Sequence, residues 1–227
     1  MTKRICNLCT KGEMTEVLRF NNLSLGFLSN INEQVWNDDY ILDKCPECCY
    51  IQTRINFPEE LLLKENFYVS KYQAIQEHDL LFVKDVVKRT NLSHYDGILE
   101  IGSGDGILLN TFLNNGFENL MGVEPTTHKS QNTAIEIIPD FFSEETLAII
   151  NKKEFKPKLI YANYVVALIE DTNKFFKLIC SLLQPGSFFY FEVPYVLELF
   201  RTSRYDGFAH IICNFITAKS IFYISQS

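Results

Sequence analysis

Short apolar runs separated by amphipathic stretches fill the chain from Gln73 onward. Ile98–Ile101, Leu120–Val123, Ile135–Ile138, Leu159–Val166 and Ser187–Val193 are each the length of a buried strand. Between them the period lengthens to that of a helix. Leu108–Asn115 is predicted helical with Gly116 as its stop, and Ser143-Glu144-Glu145 opens another helix with acids in its first turn. Asp171-Thr172 caps a third, whose buried face is Phe175, Phe176, Ile179, Leu182 and Leu183, before Gln184-Pro185-Gly186 turns into the fifth strand. Upstream, a helical stretch starts at Pro58-Glu59-Glu60 and resumes at Gln73, with Ile75, Leu80, Val83 and Val87 at helical spacing. Strands alternating with helices imply an α/β fold, a doubly wound parallel sheet that binds its ligand at the carboxyl ends of the strands. The predicted division is a small N-terminal domain over residues 1–57, a helical linker or lid over 58–90, and the sheet domain over 91–227.

The first strand runs into Glu100-Ile101-Gly102-Ser103-Gly104-Asp105-Gly106 and then a helix. Glycines let the backbone turn tightly against a ligand while the following helix aims its free N–H groups at it. A dinucleotide fingerprint needs its third glycine three residues after the second, but Ile107 stands there, so the loop does not fit NAD. Glu100 and Asp105 would repel a pyrophosphate and attract a ligand that carries an ammonium and a sulfonium. S-adenosylmethionine is such a ligand. Glu124, at the end of the second strand and followed by Pro125, can accept from both hydroxyls of a ribose. Asp140 beside Phe141 and Phe142 at the third strand end suits an adenine, the acid accepting from the exocyclic amine and a ring packing on the base; Phe142 equally suits the core. Asn163 falls near the end of the fourth strand, facing the cleft.

Composition narrows the partners. At 227 residues and 47% apolar the chain can build a sizeable core. A formal charge of -7 and a pI near 5.2 disfavour nucleic acid, which needs clustered Lys and Arg. No run of about eighteen apolar residues is present to span a bilayer, and the N-terminus lacks a signal-peptide core, so a cytoplasmic protein without membrane contact is expected. In that compartment the seven cysteines read as metal ligands and buried thiols. Cys6-Asn-Leu-Cys9 and Cys45-Pro-Glu-Cys48 are two C-x-x-C knuckles with thirty-five residues between them, room for a strand pair through Leu18 to Tyr40. Four thiolates close a tetrahedral Zn2+ shell and leave no open position for water, which makes the predicted zinc structural. Cys49 is a spare neighbour that can exchange with Cys48.

Nearly the whole chain resembles the class I S-adenosylmethionine-dependent methyltransferases of Rossmann-like fold. Within them it resembles the sugar C-methyltransferases that carry an N-terminal zinc-binding domain. The resemblance rests on the paired C-x-x-C, on Phe67-Tyr68-Val69-Ser70, and on the stretches LEIGSGDG, GVEP, ANYVVALIED, LLQPG and FEVPY. It implies cofactor contacts from Glu100, Gly102, Gly104, Glu124, Asp140, Phe141 and Asn163; Ser103, Gly106 and Pro125 join them as part of the same two motifs. It also implies an acceptor side that includes Tyr68 and His210, each of which equally suits plain packing. Where the family has a Tyr-His-Glu-His run, this chain reads Ala209-His210-Ile211-Ile212, and Leu168 replaces a further histidine. Isoleucine cannot take the proton that C-methylation must remove beside a carbonyl, so oxygen or nitrogen of a small polar acceptor is expected, for instance on a nucleotide-linked sugar or surface-polysaccharide precursor. The alternative is a degenerate homologue that binds the cofactor and serves as a partner subunit. Thirty-four residues follow Val193, so the sheet is expected to end after its fifth strand. Its open edge and the apolar tail Ile221–Ile224 would then be available to another copy or a second protein.

Overall fold

The structure, a computed structural model, describes residues 3–24, 37–54, 72–126, 134–209 and 211–226. In chain order its elements are β1 (Thr15–Ser24), β2 (Asn37–Lys44), β3 (Ile51–Thr53), α1 (Gln73–Thr90), β4 (Gly97–Ile101) and α2 (Ile107–Asn114). There follow β5 (Leu120–Val123), β6 (Glu136–Ile138), α3 (Glu144–Lys152), β7 (Pro157–Asn163), α4 (Thr172–Leu182) and β8 (Phe188–Glu192). The chain closes with α5 (Val196–Arg201), β9 (Asn214–Phe215) and α6 (Ala218–Ile224). Among the described residues no helix is long and apolar enough to cross a membrane.

One compact unit comprises residues 63–165 and 175–192. Its sheet is wholly parallel in the order β6-β5-β4-β7-β8, so the strand order reverses between β4 and β7. This is the predicted five-stranded, doubly wound sheet. Both faces are covered, which is why β4 and β5 are buried at every position. On one face α1 and α2 set Val83, Val86, Leu108, Leu109 and Phe112 against Ile98, Leu120 and Tyr161. Helix α1 buries Asp79, Val83, Val86 and Thr90, while Leu80, expected on its inner face, is 39% exposed. Phe82 takes part in the packing instead, its ring 4.2 Å from that of Tyr161. Phe142 meets Phe175 edge to face at 5.7 Å and Phe175 leads on to Phe176 and Phe189, so Phe142 belongs to the core. The Ser143 capping box opens α3, and the Asp171 carboxylate accepts from Lys174 N–H at 2.9 Å to start α4. Strand β7 stops at Asn163, three residues earlier than expected, and Val166–Leu168 form a 3-10 turn.

The other unit joins residues 1–62, 166–174 and 193–227. A sequence division at residues 57 and 90 misses this, because the last segment of the chain returns to the N-terminal sheet. Its order is β1-β2-β3-β9, and Phe215 pairs with Ile51. The β1–β2 pair fills the span between the two cysteine knuckles, as expected. Val196 and Leu199 of α5 lie with Phe208 and Phe215 on Tyr40, Leu42 and Ile51. Buried Asp43 on the interior strand β2 accepts a two-pronged pair from Arg54, at 2.8 and 2.7 Å. The tail Ile221–Ile224, expected to offer a strand edge, is the end of helix α6, opened by a Thr217 capping box.

Candidate functional site

The glycine loop leaves β4 with three left-handed residues in alternation, Gly102 (φ 70), Gly104 (φ 52) and Gly106 (φ 76). Only glycine takes that conformation without strain. Gly102 is further constrained by contact, since a Cβ there would stand 2.2 Å from Cγ2 of Val165. The amides of Gly102 and Ser103 donate to the Val123 carbonyl at 2.7 and 3.3 Å, which ties the loop to the end of β5. Gly106 then caps α2 without a side-chain hydrogen bond, and no acid occupies the first turn. The positive end of α2 is thereby left for an anionic group.

Glu124 lies across this loop. It is 5% exposed; one carboxylate oxygen accepts from Gly104 N–H at 2.7 Å and the other from Thr126 N–H at 2.9 Å and Thr126 O–H at 2.7 Å. A carboxylate has about four lone-pair positions, so one remains for a ligand hydroxyl. Pro125 follows directly and is half-buried. Beyond β6, Asp140 is exposed and accepts from Phe141 N–H at 2.7 Å, with Phe141 half-buried beside it.

A second polar group sits on the α1 face of the same sheet. Parallel register sets Glu100 beside Tyr161 and Tyr190 in one row, and Asn163 beside Glu192 two residues on. The Tyr161 hydroxyl donates to Glu192 Oε2 at 2.7 Å, and His78 Nε2 stands 3.1 Å from Glu192 Oε1. The other His78 nitrogen is 3.3 Å from Oδ1 of buried Asp79. Burial works against the His78 charge, but Asp79 and Glu192 outweigh it and hold its pKa above the ordinary value. Glu100 is pushed well up, first by burial and then by Asp79, Glu124 and Asp105. Glu100 Oε2, Ser103 Oγ and Asn163 Oδ1 are buried and find no hydrogen-bond partner among the described residues. Native interiors leave few such atoms, and three around one loop fit a cleft whose polar complement is a ligand.

In the other unit the four sulfurs of Cys6, Cys9, Cys45 and Cys48 are buried and all lie within 4.8 Å of one another. The Cys6–Cys48 and Cys9–Cys45 sulfurs are 3.7 and 3.6 Å apart. Four thiolates bonded to one zinc at about 2.3 Å would stand ~3.8 Å from each other, so the residues fit the ion. The knuckles are built alike: the residue after each, Thr10 or Cys49, is left-handed (φ 57 and 58), and its N–H donates to the carbonyl of the first cysteine at 3.0 and 3.1 Å. Cys49 is therefore part of a turn and stands outside the cluster.

The profile of the family described as "Methyltransferase domain" matches residues 73–222, about two thirds of the chain. The chain belongs to that family. It is 25% identical over 230 residues to the C-methyltransferase NovU of Streptomyces niveus, covering 98% of this chain and 54% of that one. It thus spans about half the length of the curated relative it matches. Among solved structures it is similar to the Haemonchus contortus phosphoethanolamine N-methyltransferase 2 (14% identity, TM-score 0.47, 95% of this chain and 53% of that one). It is also similar to an S-adenosylmethionine-dependent methyltransferase from Clostridium acetobutylicum (17%, TM-score 0.37, 63% and 60%).

Within this methyltransferase domain the structure gathers Glu100, Gly102, Ser103, Gly104, Gly106, Glu124 and Asn163 at the carboxyl end of β4, β5 and β7. Asp140 and Phe141 follow β6. Tyr68 and His210 lie outside the described residues. Ile211 is buried and Ile212 packs on the core of its own unit, so both are structural. Sequence reasoning missed His78, Asp79, Tyr161 and Glu192. The one available signal was an acid on the inward stripe of an amphipathic helix: Asp79 falls four residues before Val83 and seven before Val86.

Proposed function

We propose that this chain is an S-adenosylmethionine-dependent methyltransferase domain acting on oxygen or nitrogen of a small polar acceptor, of which a nucleotide-linked sugar is the favoured example. The observation that carries the reading is Glu124 hydrogen-bonded over a glycine loop, twenty residues from Gly104. When bound, the cofactor supplies an electrophilic methyl on a sulfonium. Glu124 would accept from a ribose hydroxyl, and Asp140 with Phe141 would hold the adenine. The loop backbone and the α2 N-terminus would hold the amino-acid end, with Glu100 facing the positive charges of ammonium and sulfonium. Asn163 would present its free carbonyl oxygen at the edge where acceptor and donor align, and alignment supplies most of what such a transfer needs. NovU carries the name of a C-methyltransferase. Here Leu168, Ile211 and Ile212 offer no proton acceptor, which favours nucleophiles that lose their proton late. The zinc would be structural, holding the two knuckles together.

Calorimetric titration with S-adenosylmethionine tests the donor assignment. The wild type is expected to bind it, and Glu124→Ala to weaken binding by about ten- to a hundredfold, the loss of one hydrogen bond to a charged group. Equal affinity in the variant, or no binding by the wild type, would overturn it.

A further inference from the structure

We propose that Asp79, Glu100 and Glu192 form a charge-selecting wall that favours the sulfonium of the methyl donor over the neutral thioether of its product. This rests on the donor assignment above. Glu100 and Glu192 belong to one face of the sheet, in rows two residues apart, and bracket the point where the strand order reverses. Asp79 reaches that face from the first turns of α1 and is joined to Glu192 through His78. His78 thus meets two carboxylates, Asp79 and Glu192, with Glu100 on the same face of the sheet, and no lysine or arginine pairs with the three among the described residues. Glu100 is only 5% exposed and its Oε2 has no partner among those residues, so this end of the cluster is left unbalanced.

The residues assigned to the nucleoside leave this wall for the donor's sulfur. Glu124 and Asp140 follow β5 and β6 and would take the nucleoside. The rest of the donor would then lie toward the reversal between β4 and β7, where an open α/β sheet leaves its crevice, on the side of the three carboxylates. Donor and product share the ammonium, carboxylate and nucleoside; they differ by a methyl and one unit of charge. A wall of net negative charge therefore attracts the donor more strongly than the product, which lacks the sulfonium charge.

The test is calorimetric titration of the full chain with S-adenosylmethionine and, separately, with S-adenosylhomocysteine. Glu192→Gln keeps an oxygen for the Tyr161 hydroxyl and sits on a side chain 33% exposed, so its fold is expected to survive. Its S-adenosylmethionine affinity should fall by about fivefold to tenfold, the effect of one partly screened charge, while its S-adenosylhomocysteine affinity stays within about twofold. Asp79→Asn should shift the same ratio in the same direction. Equal shifts for both ligands, or none for either, would overturn the proposal with the donor assignment intact. Failure of the wild type to bind either ligand would overturn the donor assignment, and this inference with it.

Discussion

Replacing Glu100 with glutamine should stabilise the free protein while it weakens donor binding. The Glu100 carboxyl is 5% exposed, one of its oxygens has no partner among the described residues, and burial followed by Asp79, Glu124 and Asp105 raises its pKa well above the ordinary glutamate value. In the unfolded chain it ionises near pH ~4.3. Below that pH both states carry the proton and Glu100→Gln gains nothing. As pH rises the unfolded chain releases the proton and the fold keeps it, so wild-type stability falls by up to ~1.4 kcal/mol per unit until the folded pKa is passed. Glutamine has the shape of the protonated acid at every pH and escapes the loss. A buried, unpaired charged group costs on the order of 2 kcal/mol, which for a chain of this size is about 4–8 °C in Tm. Scanning calorimetry at pH 4.5, 6 and 8 measures it. The variant should melt with the wild type at the lowest pH and above it at the highest. A variant that melts lower at pH 8, or whose advantage does not grow with pH, would refute the account of Glu100 as a strained group awaiting a cation.

Two further outcomes follow from the geometry. Elemental analysis should find about one zinc per chain, and Cys48→Ser should lower both the metal content and the melting temperature, since a structural site contributes its binding energy to folding; content far below one would remove the metal assignment. Gly102→Ala should cost about 2–4 kcal/mol in urea unfolding, from a left-handed φ of 70 and a Cβ 2.2 Å from Val165 Cγ2. Adding Val165→Ala should recover part of that loss, and no recovery would show that the backbone angle alone matters.

The parts of this protein that were legible from the chain are those made within a few residues. The glycine alternation at 102, 104 and 106, the acid at 124 that ends the next strand, and the two C-x-x-C knuckles are short-range patterns whose residue types admit few conformations. The order of strands and helices was legible because each apolar run carries its own period. Glu192 and His78 are 114 residues apart and meet only because β7 and β8 pair in register and α1 lies on that face. The return of Asn214–Phe215 to Ile51–Gln52 was equally hidden, since a two-residue strand has no period to detect. Sequence by itself determined the glycine loop, the cysteine set and the parallel sheet, because backbone sterics and side-chain chemistry act locally. Only the tertiary structure decided which segment completes the N-terminal sheet and which carboxylates share one face, because long-range pairing depends on surfaces that exist after the elements have packed.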